Sequence, residues 1–161
     1  MTLTNQQQQL ERILLAEERQ AGDLAVLLER EQDSLAHREV DNLMRVVAEK
    51  EKRLAELDEL AVERSSLLQQ AGYSPDRDGF RALLDSDNSG RLRELWCAVE
   101  TLLKRCRYQN QVNGKMLEIG RSQARQLLAL LLGRDNDADS ELYDQNGITS
   151  TSYEQNPVFR V

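Results

Sequence analysis

The sequence predicts an all-α fold: an elongated antiparallel bundle of three long helices plus one short helix, with a flexible C-terminal tail. Apolar residues recur at spacings of three and four along much of the chain, as they do on one face of a helix. Two prolines and 4% aromatic residues, beside abundant Leu, Glu, Arg and Gln, favour long helices over sheet. We assign residues 1–133 to the bundle and residues 134–161 to the tail.

The first predicted helix covers about residues 5–36. Glu17 and Glu31 interrupt its apolar face, which is expected to point towards the core. The apolar members of this face are Leu10, Ile13, Leu14, Ala21, Leu24, Leu27, Leu28 and Leu35.

The second predicted helix covers about residues 39–71 and has coiled-coil-like patterning with polar gaps. Lys50 and Arg64 occupy positions that its seven-residue repeat would make apolar. The apolar members of the repeat are Val40, Leu43, Val47, Leu54, Leu57, Ala61 and Leu68.

A helix end and a short helix follow. Gly72 suits the left-handed position after a helix, and Ser74 with Pro75 suits the N-cap and first position of the next one. The short helix is predicted from Pro75 to about Leu84, and the segment "DSDNSG" forms a loop. The third long helix then begins near Arg91.

The third long helix is apolar at both ends and polar in the middle. Gln109, Asn113 and Gly120 fall on its apolar stripe, whose other members are Leu92, Leu95, Val99, Leu102, Cys106, Met116, Leu127 and Leu130. Gly114 and Gly120 each disfavour helix by up to ~1 kcal/mol relative to Ala. We interpret them as a close crossing of neighbouring helices, with a kink or a moving joint as the alternative.

The last turns of this helix, "LLALLLG", are apolar on every side. In a small bundle these leucines cannot all face one core. We therefore expect another molecule or segment to cover them, and we identify Leu127, Leu128, Leu131 and Leu132 as candidate binding residues.

The reactive side chains argue against an enzyme, and we expect no cofactor and no bound metal. His37 is the single histidine and lies in a charged stretch, so no zinc-ligand spacing exists. No glycine-rich phosphate loop is present. Cys97 and Cys106 lie on opposite sides of one predicted helix, too far apart for a disulfide, and are interpreted as small core or boundary residues.

Charge and hydropathy predict a cytoplasmic protein that binds no nucleic acid. No apolar run approaches the ~20 residues that cross a bilayer, and "MTLTNQQQQL" lacks the features of a secretory signal. Of the net charge of −7, residues 134–161 contribute −4 through six acids and two bases. The basic residues of the last helix are interpreted as a solvated flank, with a docking patch as the alternative: Lys104, Arg105, Arg107, Lys115, Arg121 and Arg125.

The tail has a composition that buries too little apolar surface to offset chain entropy. It nevertheless contains Tyr143, Tyr153 and Phe159. An aromatic ring in an acidic segment is a common anchor for recognition by another protein. The alternative is that these rings fold back on the bundle.

Three features in this order resemble the FlgN family of flagellar type III export chaperones. They are "NQVNG" with Asn110, Asn113 and Gly114 inside a long helix, the leucine run ending at Gly133, and "LYDQNG" over residues 142–147. The stretch "AEKEKRLAELDELAVERSSLLQQAG" of the second helix is similar too. The resemblance spans about residues 5–147.

This resemblance implies a function in flagellum biogenesis and type III protein export. It implies a cytoplasmic chaperone that binds the C-terminal helical segment of hook-associated proteins of the FlgK and FlgL type. The chaperone keeps them unassembled and delivers them to the export-gate protein of the FlhA type, so its contact with the membrane machinery is peripheral. By the same resemblance, Tyr143, with Asp144 beside it, is the candidate residue for docking on the gate.

Two other classes of protein fit the pattern. A structural coiled-coil protein also has polar-interrupted heptads, and a helical regulatory adaptor such as an anti-sigma factor is also acidic and tailed. Binding of a purified client peptide distinguishes a chaperone from the first class. Affinity for a sigma factor identifies the second.

Overall fold

The computed structural model describes residues 3–133, which form four helices. They are α1 (Leu3–His37), α2 (Val40–Gln70), α3 (Arg77–Asp85) and α4 (Arg91–Leu131). The predicted all-α fold of three long helices plus one short helix is confirmed. Tyr143, Asp144 and the rest of the predicted tail lie outside the described residues.

The three long helices alternate in direction, and α1 packs along both α2 and α4. Side-chain contacts show that α1 and α4 run parallel: Gln7 of α1 reaches Ser86 just before α4, and the later Leu28 meets Asn113. Helix α2 runs antiparallel to both. With α4 the longest at 41 residues, the three helices do not end at the same level.

A two-residue corner joins α1 to α2. Arg38 adopts a left-handed conformation with φ of 57°, which is uncommon for a residue other than glycine. Ser34 holds the corner, since its carbonyl accepts the Glu39 N–H at 2.9 Å and its hydroxyl accepts the Asn42 amide at 2.7 Å. This tight corner brings α2 back directly along α1.

The predicted end of α2 is confirmed and the predicted start of the short helix is wrong. Gly72 has φ of 80°, and the Tyr73 N–H bonds to the Leu68 carbonyl at 3.0 Å, which satisfies the helix end. The N-cap of α3 is Asp76, not Ser74: its carboxylate accepts the Gly79 N–H at 2.9 Å. That bond holds the pKa of Asp76 below its usual range, so a negative charge sits at the positive end of the helix.

Most of the buried apolar residues form two clusters. The first lies where α3 closes one end of the three long helices and contains Leu10, Ile13, Leu14, Leu67, Leu68, Phe80, Leu83, Leu84, Leu92 and Leu95. The second lies in the middle and contains Leu24, Ala25, Leu28, Leu57 and Cys106. No third cluster continues the core along the far end of α4 within residues 3–133.

Three members of the predicted apolar faces are more exposed than expected. Val40 is 63% exposed, because it is the first residue of α2 and follows directly on the corner. Leu127 and Leu130 are exposed as well, because this part of α4 lies past the apolar clusters. Val46 is buried, whereas its neighbour Val47 in the predicted repeat is only partly buried.

Replacement of Leu57 by Ala should destabilise the protein by ~2–5 kcal/mol. Leu57 is buried in the second cluster, and the change removes apolar contacts and leaves a cavity. Urea unfolding followed by circular dichroism measures the difference. Val62→Ala on the same helix is the matched control, since Val62 is 65% exposed; a Leu57→Ala change below ~0.5 kcal/mol, similar to this control, would contradict the core assignment.

Candidate interaction site

A buried polar cluster crosses the middle of the bundle and joins all three long helices. Lys50 of α2 donates to the Glu31 carboxylate of α1 at 2.5 Å, and both side chains are buried. Asn113 of α4, which is 3% exposed, donates to Glu31 at 2.7 Å and to the Leu28 carbonyl at 2.8 Å. Charged and amide groups thus satisfy one another where water has no access. We call Glu31, Lys50 and Asn113 the polar waist.

Two further side chains extend the polar waist. The Asn110 amide oxygen lies 3.4 Å from the Lys50 ammonium, and Gln109 donates to the Asn113 oxygen at 3.0 Å. Gln109 also donates to Gln32 of α1 at 2.9 Å. The asparagines of "NQVNG" therefore attach α4 to α1 and α2, a role that no single-helix pattern shows.

The glycines near the polar waist do not mark a close crossing. A Cβ atom added at Gly114 or Gly120 would meet nothing within 4 Å. Helix α4 also continues through both positions without a break. The interpretation of these glycines as a close helix crossing is wrong, because no other helix approaches α4 closely at these two positions.

A second ion pair, between a buried Glu17 and a partly exposed Arg64, lies towards α3. Arg64 of α2 is 3.4 Å from the Glu17 carboxylate of α1, and its guanidinium lies 4.9 and 4.6 Å from the ring centres of Phe80 and Trp96. Burial raises the pKa of Glu17, an effect that the Arg64 charge only partly opposes. Aromatic rings therefore share with Glu17 the stabilisation of this partly exposed cation.

The four charged residues that interrupt the apolar faces of α1 and α2 pair one to one. Glu17 and Glu31 are two heptads apart, and so are Lys50 and Arg64. Antiparallel helices joined by a short corner match such equal spacings. This equal spacing is the feature of the sequence from which the pairing could have been predicted.

The C-terminal end of α4 carries an exposed apolar surface. From Gly114 to Gly133 nearly every residue is exposed. We call the leucines of the last turns the leucine end; they are 57–82% exposed and comprise Leu127, Leu128, Leu130, Leu131 and Leu132. Apolar side chains grouped in this way on a surface are typical of a binding site.

An apolar groove of about 590 Å³ lies between the α1–α2 corner and this end of α4. The corner contributes Leu35, Arg38, Val40 and Leu43, and α4 contributes residues from Met116 to Leu130, including Gly120 and Leu127. Gly120 lies in this lining, and a Cβ atom added there would meet nothing within 4 Å. The groove and the leucine end meet at Leu127 and Leu130.

The described residues contain neither a metal site nor a membrane span. Within residues 3–133, no three His, Cys, Asp or Glu side chains gather into a group that could hold a metal ion. In the same range no helix is both long and apolar enough to cross a bilayer. Cys97 is exposed and Cys106 is buried, and burial raises the pKa of the Cys106 thiol to about 11.

Comparison with known proteins identifies the family. The model of the family described as FlgN protein matches residues 1–151. The chain belongs to the FlgN family. A crystal structure from Pseudomonas aeruginosa, assigned as a candidate flagella synthesis protein FlgN, is 25% identical, with a TM-score of 0.60, over 66% of this chain and 84% of that chain. No curated protein matches the sequence. Both similarities are to flagellar proteins and support a flagellar role.

The predicted site residues that the structure describes lie in two places, at the polar waist and at the exposed C-terminal end of α4. Asn113 is buried in the polar waist with Asn110 beside it, whereas Gly114 is exposed next to it. Leu127 lines the groove, and Leu128, Leu131 and Leu132 lie exposed outside the groove lining. The corner residues Arg38, Val40 and Leu43 join this surface, and sequence patterns missed them because the groove forms only when α1, α2 and α4 meet.

Some basic residues of α4 in this FlgN chain lie on a solvated flank, and at least one lines the groove. Arg105 pairs with Glu29 of α1, and Lys104 lies 4.0 Å from Glu100 on the same helix. These two fit the solvated flank. Arg121 instead lines the groove.

Removal of the Lys50 ammonium from the polar waist should lower the stability of the FlgN fold. Lys50→Met should destabilise the protein by ~3–5 kcal/mol, because Glu31 stays buried without its counter-charge. The double variant Glu31→Gln, Lys50→Met should recover most of this loss in chemical unfolding. Arg30→Met is the matched control: Arg30 pairs with Glu49 at 3.5 Å on the surface, where a pair contributes at most ~1 kcal/mol. Equal effects of Lys50→Met and Arg30→Met would contradict a buried, charged waist.

Proposed function

We propose that this FlgN-family protein is a cytoplasmic export chaperone for hook-associated proteins of the FlgK and FlgL type. It binds their C-terminal helical segment, keeps them unassembled and delivers them to the export-gate protein of the FlhA type. Family membership supports the flagellar part of this proposal. The observation that carries the binding part is the exposed leucine end beside the apolar groove.

The unequal helix lengths explain why a helix is the expected client element. Helix α4 has 41 residues, against 35 in α1 and 31 in α2. A client helix laid along α4 beyond the α1–α2 corner would supply the neighbour that α4 lacks there. Amphipathic helices are recognised in this way by apolar grooves, and burial of each leucine side chain contributes ~1.5–3 kcal/mol before the costs of association.

Charges on the leucine end should weaken client binding without unfolding the chaperone. The variant Leu128→Asp, Leu131→Asp replaces two leucines that are 57% and 82% exposed by aspartates. Its helical content should therefore stay unchanged. Affinity for a peptide from the C-terminal helix of a FlgK-type protein, measured by calorimetry, should fall at least tenfold, or ~1.4 kcal/mol.

Val62→Asp is the matched control for this measurement. Val62 is similarly exposed, on α2, and does not line the groove. Its substitution should leave the affinity as it is. An unchanged affinity of the leucine-end variant would reject the placement of the client, and binding to a sigma factor in place of the client peptide would favour an adaptor.

We further propose that Tyr143, with Asp144 beside it, docks the loaded chaperone on the export gate. The family match extends to residue 151 and so includes both residues. Tyr143→Ala should leave the melting temperature and the client affinity nearly unchanged. Capture of the loaded complex by the cytoplasmic domain of the gate protein should weaken at least tenfold, since one aromatic anchor often dominates an interface.

Tyr153→Ala is the control for gate docking, because Tyr153 lies in the same tail beyond the family match. A lower melting temperature of Tyr143→Ala with docking intact would make Tyr143 a packing residue. Equal loss of docking by both variants would remove the specific role of Tyr143.

A further inference from the structure

The apolar groove carries a positive charge in an acidic protein. Arg38 from the corner and Arg121 from α4 line it, and no Asp or Glu belongs to its lining. Among the ion pairs of residues 3–133, neither Arg38 nor Arg121 has a carboxylate partner. The net charge of the chain is nevertheless −7. A ligand that fits the groove should therefore combine apolar side chains with acidic ones.

The sequence that follows α4 has this composition and starts beside the groove. Leu130 lines the groove, and α4 ends one residue later at Leu131. Gly133 has φ of 62°, the left-handed conformation that turns a chain away from the helix axis. The next eight residues, "RDNDADSE", contain four acids and one base, and "LY" follows them.

We propose that this acidic segment, residues 134–143, binds in the groove of its own chain. The part of the groove along α4, from Met116 to Leu130, is ~21 Å long at the rise of an α-helix. Ten extended residues span up to ~33 Å, so the segment reaches Arg121 and Arg38. Its carboxylates pair with these guanidinium groups, and Leu142 covers apolar lining, which keeps the neighbouring Tyr143 close to the groove.

A second copy of the chain fits the groove less well than the chain's own acidic segment. The exposed part of α4, residues 114–133, holds Lys115, Arg121 and Arg125 against the single acid Glu118. Two such ends would bring like charges together, which is unfavourable. The acidic segment is also tethered at the groove, where its effective concentration reaches the millimolar range.

This contact has a consequence that rests on the proposed function. A client helix would have to displace the segment from the groove, and displacement would free Tyr143 for the gate. An empty chaperone would then dock more weakly than a loaded one. The contact itself exists without client or gate, so it is tested without either of them.

Disulfide trapping in the full-length chain tests the contact. Cys97→Ser removes the exposed thiol, and Cys106 stays because it is buried. Ser140→Cys places one thiol in the acidic segment. A second is placed either at Ala124, which lines the groove, or at Ser122, which is exposed on α4 outside the lining. Ser122 and Ala124 are two residues apart, so they lie on different faces of α4. Their distances from Ser140 along the sequence are nearly equal.

The Ala124→Cys, Ser140→Cys protein should form its intramolecular disulfide at least tenfold faster than the Ser122→Cys, Ser140→Cys protein at low concentration. Arg121→Glu should remove this preference, while Arg125→Glu should keep it, since Arg125 does not line the groove. Equal rates for the two pairs would overturn the proposal. So would a disulfide-linked dimer as the main product, or equal effects of the two charge reversals.

Discussion

The pairing of Glu31 with Lys50, and the attachment of Asn113 to the same carboxylate, fixes the relation of the three long helices. Apolar faces built mainly from leucine can slide along one another with little change in buried area. A buried carboxylate that requires an ammonium group from one neighbour and an amide from another has one satisfactory arrangement. Polar groups at core positions of coiled coils fix register in the same way. The second pair, Glu17 with Arg64, repeats the constraint towards α3.

The polar waist also separates a closely packed part of the molecule from an exposed one. On the side of α3, leucines, Phe80 and Trp96 pack into a closed cluster. On the other side, α1 and α2 turn at their corner, and α4 continues past it with an exposed apolar surface. Register at the waist therefore decides how far α4 extends and which of its residues face Arg38 and Leu43. The proposed binding surface therefore depends on polar groups in the interior of the bundle.

The sequence predicts the helices well because each one is a local pattern. Spacings of three and four define α1, α2 and α4, and Gly72 marks a helix end by its backbone freedom alone. Local patterns do not settle which of two acceptors, two residues apart, caps α3, and Asp76 does so instead of Ser74. Local patterns also do not show which part of an apolar helix face packs against another helix. Leu127 fits the spacing of the buried residues of α4, yet it lies beyond the α1–α2 corner and is exposed. The groove is missed for the same reason, since it belongs to three helices at once.

The unsupported end of α4 forms a structural unit of its own. Most of the stability of a helix in a protein comes from packing of its apolar face, which the exposed leucines of this end do not have. Gly114 and Gly120 lower its helix propensity further. Amide hydrogens beyond the polar waist should therefore exchange by local opening at a lower free energy than those of the core. A molecule bound along this helix would also stabilise it against opening, so its affinity would contain a folding contribution that the contact surface alone does not reveal.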